Sequence, residues 1–225
     1  MKIFNACWPE KKQKCYEIQR KNAKNLDLKF NKQSISIIAG IDLSFPKKDL
    51  ALAILVILSY KNLKLLNVFF HISKINFPYI SGLLSFREGP IIIALLKKFK
   101  GNIDIFFIDG QGIAHPRFFG LASHIGTIIN KPSIGVAKNH LFGEFKNPKS
   151  FKGAYEKITK SDKILGYVLR SKEKCNPIFI SPGNYIDTKT SLELVKNTIT
   201  NFRLPEPTRL AHKYSQFYKK KIIYF

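Results

Sequence analysis

The order of the apolar segments is the feature that most constrains the fold. Three consecutive strand-like segments, at 36–45, 50–60 and 63–71, are separated by the short turns 46–49 and 61–62. Turns this short join antiparallel strands, because a parallel neighbour requires a long crossover. The sequence therefore predicts an antiparallel meander in the first third of the chain.

After the meander, helical and apolar strand-like segments alternate. We predict a solvated N-terminal helix within 9–33, later helices at 88–100, 119–130, 190–202 and 208–220, and strands at 103–108, 133–137, 164–169 and 178–180. Pro90 is expected in the first turn of its helix, where its missing N–H costs little. Together these patterns indicate an α/β, ribonuclease H-like fold, in which helices on both faces flank a mixed central sheet (an antiparallel meander plus parallel strands). We expect a single domain over residues 1–225.

The charge of the chain is strongly positive. Lys and Arg number 38 against 15 Asp and Glu, a formal charge of +23. Such a charge favours a polyanionic partner, nucleic acid first and a membrane surface second. Only six of the 38 are arginine, and A/T-rich coding bias alone gives the same pattern by placing lysine on solvated surface. The charge by itself leaves both interpretations open.

Composition also bounds the compartment. The longest apolar run, 50–58, has nine residues, whereas a bilayer-spanning helix needs about 20. The N-terminal residues show no signal-peptide pattern. Cys7, Cys15 and Cys175 are too few and too scattered for a disulfide framework or a zinc site. We expect a protein of the reducing cytoplasm without a membrane span.

Two carboxylates lie within or directly after apolar strands. Asp42 interrupts the first strand, and Asp109 ends the strand 103–108. Ligands of α/β folds bind at the carboxyl ends of strands, so Asp42 and Asp109 converge if these strands are neighbours. Glu88, expected at the start of a helix, can reach the same point.

Such a cluster suits a metal ion. Neighbouring carboxylates raise each other's pKa unless a cation lies between them, and oxygen ligands favour Mg²⁺ or Mn²⁺. Lys138 directly follows the strand 133–137, and a cation there suits a scissile phosphate. The alternative is that Asp42 pairs with a core cation, that Glu88 merely favours a helix start, and that Lys138 is a solvated lysine.

The histidines carry weaker signals. His124 lies on an apolar helix, which is typical of a core histidine with satisfied hydrogen bonds. His115 belongs to a His-Pro-Arg segment six residues after Asp109, and His212, taken alone, is a surface histidine.

Seven short blocks occur in order along the chain. They are 39–45, 77–80, 85–90, 109–117, 122–126, 132–138 and 203–211, the most specific being Asp-Gly-x-Gly-x-x-His-Pro-Arg at 109–117 and Gly-Val-Ala-Lys at 135–138. In this order they resemble the endonuclease V family, the deoxyinosine 3′-endonucleases of nucleic-acid repair. The resemblance implies Mg²⁺-dependent hydrolysis, with Mn²⁺ as a substitute, of the second phosphodiester bond 3′ to a deaminated adenine. The partner implied is inosine-containing DNA, bound by a monomer. Two alternatives stay open: an inosine-specific ribonuclease of the same fold, and a non-catalytic nucleic-acid-binding relative.

The resemblance also implies roles for residues. Position by position, it makes Asp42, Asp109 and Glu88 metal ligands, Lys138 the phosphate-side cation, His115 and His212 nearby polar contacts, and Gly110 and Gly112 part of the hypoxanthine pocket. Both glycines allow a ligand to approach the backbone closely; the alternative is an ordinary glycine turn.

Tyr79 is similar to the aromatic wedge of the family. In Pro78-Tyr79-Ile80 the ring would replace the stacking of an extruded base, and Pro78 would stiffen its loop. The alternative is an ordinary core aromatic in a chain with 28 Phe and Tyr. Three positions depart from the usual family residues: Ser81 replaces a second proline, and Gln111 and Asn184 replace histidines. The role of the loop 181–184 is left open.

Overall fold

One nine-stranded sheet organises the computed structural model, which describes residues 3–31 and 34–223. The strands are β1 (Ile37–Lys47), β2 (Leu50–Ser59), β3 (Leu65–Lys74), β4 (Ile105–Ile108), β5 (Ser133–Ala137), β6 (Glu144–Phe145), β7 (Tyr155–Lys160), β8 (Lys163–Leu169) and β9 (Ile178–Asn184). The helices are α1 (Lys12–Ala23), α2 (Leu84–Lys98), α3 (Leu121–Ile129), α4 (Thr188–Asn197) and α5 (Glu206–Ile223).

The sheet is mixed, as predicted. Its order is β3-β2-β1-β4-β5-β9-β8-β7-β6, with β1, β4 and β5 mutually parallel and β1, β2 and β3 forming an antiparallel meander. Successive residues of β1 point to opposite faces, so Ile38 enters one core and Ala39 the other. One core includes residues of α2 and α3, and the other includes residues of α4 and α5. Helices therefore cover both faces.

The helix that carries Glu88 begins earlier than predicted. It starts at Leu84, which places Glu88 in its second turn and Pro90 inside the helix. The expectation that Pro90 lies in the first turn is therefore wrong. Tertiary packing explains the early start, because Ser85 and Phe86 are buried and Ser85 Oγ lies 3.1 Å from the ring Nδ1 of His124.

Other differences lie at the ends of elements. β1 continues past Pro46 to Lys47, with an irregular register after Ser44, and β9 runs four residues beyond the predicted strand. The two strands β6 and β7 were not predicted. Of the six residues of β7 only Ile158 is buried, so the segment lacks the apolar pattern by which a strand is recognised.

The N-terminal helix is shorter than the predicted range and less solvated. It buries Cys15 and Gln19. Within residues 3–31 and 34–223, no helix has the length and apolarity needed to cross a bilayer.

Candidate active site

The pairing of parallel strands brings the two aspartates together. Ile41 of β1 is in register with Ile108 of β4, and the backbone N–H of Asp109 donates to the carbonyl of Ile41 over 3.1 Å. Asp42 and Asp109 come directly after these paired residues and therefore lie side by side at the carboxyl end of β4. The predicted neighbourhood of these two strands is confirmed. β5 extends the same parallel set, and Lys138 is the first residue after it.

Helix α5 holds the side chain of Asp42. Ser215 Oγ donates to Asp42 Oδ2 over 2.7 Å, and the ring Nδ1 of His212 lies 3.1 Å from the same oxygen. Burial alone would raise the pKa of Asp42, but the hydrogen bonds from His212 and Ser215 outweigh it and lower the pKa. Asp42 thus stays ionised although it is 5% exposed. Ser215 was missed in the sequence; its position three residues after His212, on the same helix face, was the available signal.

The surroundings of the other two carboxylates, Asp109 and Glu88, disfavour their charged forms. Burial and the charge of Asp42 raise the pKa of Asp109 to about 6, although Lys138 Nζ forms an ion pair with it. Burial, followed by the charges of Asp109 and Asp42, raises the pKa of Glu88 to about 8. The three acids therefore repel one another, and one local ammonium group does not neutralise them.

The donor set fits a cation. One ligand atom each of Asp42, Asp109 and His212 lies within 4.8 Å of the other two, the spacing expected around a metal ion. Glu88 does not belong to this tight set in the described structure, although its raised pKa records the charges of both aspartates. A divalent cation would relieve the repulsion that raises the pKa of Asp109 and Glu88.

A cleft of about 310 Å³ opens beside Asp109. Its lining includes Tyr79, Leu84, Asp109, Gly110, Gln111, His115 and Lys138. Tyr79 is 73% exposed, which excludes the interpretation as a core aromatic, whereas its neighbour Phe77 is buried. Pro78 is exposed, and Ile80 packs against the cluster that contains Phe77.

The loop that carries Tyr79 is held at both ends. At one end Arg87 Nη1 donates to the carbonyl of Phe77 over 2.7 Å. At the other end, three side chains meet the carbonyl oxygen of Gly82: Gln19 Nε2 at 3.0 Å, His115 Nε2 at 3.0 Å and Arg117 Nη2 at 2.8 Å. We call Gln19, His115 and Arg117 the Gly82 anchor. It fixes the loop at the point where the second proline of the family pattern is missing.

The anchor also explains the state of His115. Its Nδ1 accepts from the backbone N–H of Arg117 (3.2 Å), so its Nε2 carries the hydrogen that points to Gly82. Burial and the charge of Arg117 lower the pKa of His115 to about 4. The ring is neutral and fully engaged. Gln19 was missed in the sequence, because nothing local distinguishes it from other polar residues of a Lys-rich helix.

The two loop glycines differ in what they permit. Gly110 lines the cleft with φ +152°, a conformation that favours glycine. A Cβ on Gly112 would lie 2.0 Å from the carbonyl oxygen of Pro182, so this glycine lets the loop pack against β9. The predicted ligand approach therefore has geometric support only at Gly110.

The two departures from family histidines lie in different places. Gln111 lines the cleft; its Nε2 donates to the Asn139 carbonyl over 3.0 Å, and its buried Oε1 has no hydrogen-bond partner among the described residues. Asn184 is buried in β9 and bonds to Asp27 and Ser133 instead. In the described structure, the segment 181–184 is part of the sheet.

His124 is a core residue. It is 3% exposed and contacts the rings of Trp8, Phe86 and Phe119. Burial lowers its pKa to about 3. The prediction of a core histidine is confirmed.

A mixed sheet with acids and a lysine at its carboxyl edge fits a metal-dependent nuclease with a ribonuclease H-like fold. Comparison with known proteins identifies the family. The profile of the Endonuclease V family matches residues 19–213, and the chain belongs to that family. It is therefore a metal-dependent nuclease that acts on DNA, and the predicted family and fold class are confirmed.

Individual relatives cover nearly the whole chain. Endonuclease V of Thermosipho melanesiensis is 51% identical over 214 residues, which are 95% of this chain and 94% of that protein. The Bacillus subtilis Endonuclease V structure has a TM-score of 0.90 at 32% identity, covering 98% of this chain and 100% of that one. Endonuclease V of Ciona intestinalis, in complex with a 24mer DNA containing an inosine followed by a ribo-adenosine, has a TM-score of 0.80 at 28% identity, with 93% and 98% covered.

Proposed function

We propose that this chain repairs DNA by recognising deoxyinosine and hydrolysing the second phosphodiester bond 3′ to it, with Mg²⁺ as the metal. The observation that carries the proposal is the meeting of Asp42, Asp109 and Lys138 beside a cleft with an exposed tyrosine. The inosine-containing DNA bound by the Ciona relative supports the substrate. We further propose that residues 1–225 act as one domain, as a monomer, in a reducing cytoplasm.

Three carboxylates are the metal ligands in this proposal, and two residues of α5 support one of them. Mg²⁺ takes oxygen ligands, so we assign Asp42, Asp109 and Glu88 to it. His212 and Ser215 keep Asp42 ionised and oriented through their hydrogen bonds. When bound, Mg²⁺ supplies an activated water and balances phosphate charge. Lys138 offers its ammonium group to the phosphate undergoing cleavage.

Recognition of the base uses the same cleft. Tyr79 fills the gap in the stack that an extruded base leaves, and Pro78 and Ile80 support it. Gly110 lets the backbone approach the base. The unpartnered Gln111 Oε1 is an acceptor, and hypoxanthine carries a hydrogen on N1 where adenine has a lone pair. With its side chain turned towards the cleft, Gln111 would favour hypoxanthine over adenine.

The test is cleavage of matched strands that carry one inosine or one adenine, in Mg²⁺, in Mn²⁺ and with chelator. We expect cleavage of the inosine DNA with either metal, one nucleotide beyond the lesion, and none with chelator. Equal cleavage of adenine strands would overturn the assignment of the substrate.

Two further strands address the nucleic acid itself. One is inosine RNA, and the other is inosine DNA with a ribo-adenosine directly 3′ to the lesion, as in the Ciona complex. Cleavage of RNA alone would favour the ribonuclease alternative, since the 2′-hydroxyl distinguishes the two substrates. Inosine binding without cleavage in any metal would favour the non-catalytic alternative.

A further inference from the structure

A second cavity, of about 760 Å³, adjoins the segment that lines the catalytic cleft. His115 lines the cleft, and the next three residues, Pro116, Arg117 and Phe118, line this second cavity. The end of α1 and the start of β8 complete its walls. We call it the α1 groove. It has no place in the site described above.

The walls of the groove are apolar. They include Leu26, Leu28, Ile113, Phe118 and Ile164. Phe118 and Ile164 are 37% and 36% exposed, and Phe118 has φ +52°. That backbone conformation is uncommon for a large side chain. Its backbone N–H donates to the carbonyl of His115 over 2.7 Å, so the turn that places His115 in the anchor also presents the Phe118 ring to the groove.

The charged groups of the groove are all cations. They are Arg20, Lys24, Arg117 and Lys163, and no acidic residue occurs among the described residues that line it. Arg117 is engaged with Gln19 and Gly82. No ion pair with a described carboxylate is formed by Arg20, Lys24 or Lys163. The groove therefore gathers positive charge over an apolar floor without an internal counterion.

We infer that the α1 groove binds an unpaired stretch of the substrate strand beyond the lesion, with bases on Phe118 and Ile164 and phosphates on Arg20, Lys24 and Lys163. Bases with exposed faces and a regularly charged backbone match an apolar floor with cations at its rim. A paired duplex does not fit, because its bases are stacked inside. The inference rests on the proposed function, since the strand is the one whose lesion occupies the cleft.

Strand length tests the inference. Dissociation constants are measured, in chelator to prevent cleavage, for a short single strand with one inosine and for strands extended by about ten nucleotides on the 5′ or the 3′ side, within the range of known single-strand sites. For the wild-type protein, extension on one side is expected to tighten binding about tenfold. The variant K24S/K163S is expected to lose most of that gain, and its log–log salt slope should become less negative by about 1.4, for two phosphate contacts.

A matched variant controls for overall charge. K61S/K64S removes two exposed lysines from the turn between β2 and β3, which lies beside the N-terminal end of β1. This variant should keep the gain in affinity that extension of the strand gives. Phe118→Ala should reduce the gain at least about fivefold, for one lost stacked base, whereas Phe70→Ala, an aromatic 50% exposed on the edge strand β3, should not.

The outcomes separate the two proposals. Equal affinity of the wild type for short and extended strands would overturn the groove, as would equal losses in K24S/K163S and K61S/K64S. So would the same gain when the extension is base-paired. If the wild type does not prefer inosine to adenine on the short strand, the proposed function fails, and the extension series on the undamaged strand still decides the groove.

Discussion

Two buried polar regions border the cleft, and they differ in whether their polar groups are satisfied within the protein. In the acidic cluster, burial and then the repulsion between neighbouring carboxylates raise the pKa of Asp109 to about 6 and the pKa of Glu88 to about 8. In the Gly82 anchor, three side chains share one carbonyl oxygen, and both ring nitrogens of His115 are engaged. The first region is electrostatically incomplete, whereas the second is satisfied within the protein.

The difference shows how a site separates chemistry from positioning. Buried carboxylates without full compensation cost stability, and a cation removes that cost only when it binds. A satisfied hydrogen-bond network needs nothing further and fixes geometry. We therefore expect substitutions in the acidic cluster to abolish turnover, and substitutions in the anchor to weaken the placement of the substrate while leaving metal binding intact.

The largest effect is expected for Asp109→Asn. It removes one proposed metal ligand and the partner of Lys138. Losing several kcal/mol of transition-state stabilisation corresponds to a decrease of about 10³-fold or more in single-turnover rate. Binding of the inosine strand should remain measurable, since it depends on the cleft and on phosphate contacts. The checks are single-turnover cleavage in Mg²⁺ and the shift of the melting temperature on adding metal.

Both readouts should fall together. A variant that keeps the wild-type rate in Mg²⁺ would contradict the assignment of Asp109. A variant that loses the rate but keeps the metal-induced shift would make Asp109 a substrate contact instead.

Much of the acidic cluster was predictable from sequence because its geometry follows from strand order. Asp42 and Asp109 mark two apolar strands, and parallel neighbours bring such residues to one edge. Lys138 follows the third strand of the same set. Local pattern carries this information, since each residue is placed by the strand it ends or interrupts.

The anchor was not predictable, for a physical reason. Gln19 contacts Gly82 and Phe119 across 63 and 100 residues of chain, and Ser215 reaches Asp42 across 173. Such contacts depend on how helices dock, which local periodicity does not encode. The early start of α2 has the same origin, because Ser85 and Phe86 become helical where they pack against His124.

Tyr79→Ala is expected to have the next largest effect. Because Tyr79 is 73% exposed, the free energy of unfolding should hardly change. The binding free energy for inosine DNA should weaken by about 1–3 kcal/mol, because one stacking contact is lost. The preference of the protein for inosine DNA over adenine DNA should decrease. Phe77→Ala is the contrasting variant: it truncates a buried aromatic two residues away and should cost about 3–5 kcal/mol of stability. The measurements are the denaturant midpoint and the affinity for inosine DNA of both variants. A large loss of stability in Tyr79→Ala with unchanged affinity would refute the role of Tyr79 as a wedge.

Gln19→Ala tests the anchor by loosening the end of the Tyr79 loop. It removes two hydrogen bonds to backbone carbonyls and the 2.6 Å contact with Arg117. We expect about a tenfold weaker affinity for inosine DNA, of the order of one buried hydrogen bond lost, with an unchanged metal-induced melting shift. Gln13→Ala on the exposed side of the same helix is the control and should behave as wild type. A loss of the metal shift in Gln19→Ala would show that the two regions are not separate.

The last prediction concerns the slope of the pH–stability profile on its acid side. The pKa of His115 in the folded protein is about 4, below its ordinary value of about 6.5. Between these values the unfolded chain takes up a proton that the folded protein does not, so stability falls as pH decreases, by up to about 1.4 kcal/mol per pH unit. Protonation of Nδ1 would also break its bond with the Arg117 N–H. His115→Gln lacks this titration, and its free energy of unfolding, measured by denaturant from pH 7 to pH 4, should therefore decline less steeply than that of the wild type. Parallel profiles for the two proteins would mean that folding leaves the pKa of His115 at its ordinary value, which would contradict the hydrogen-bonded, neutral ring described for the anchor.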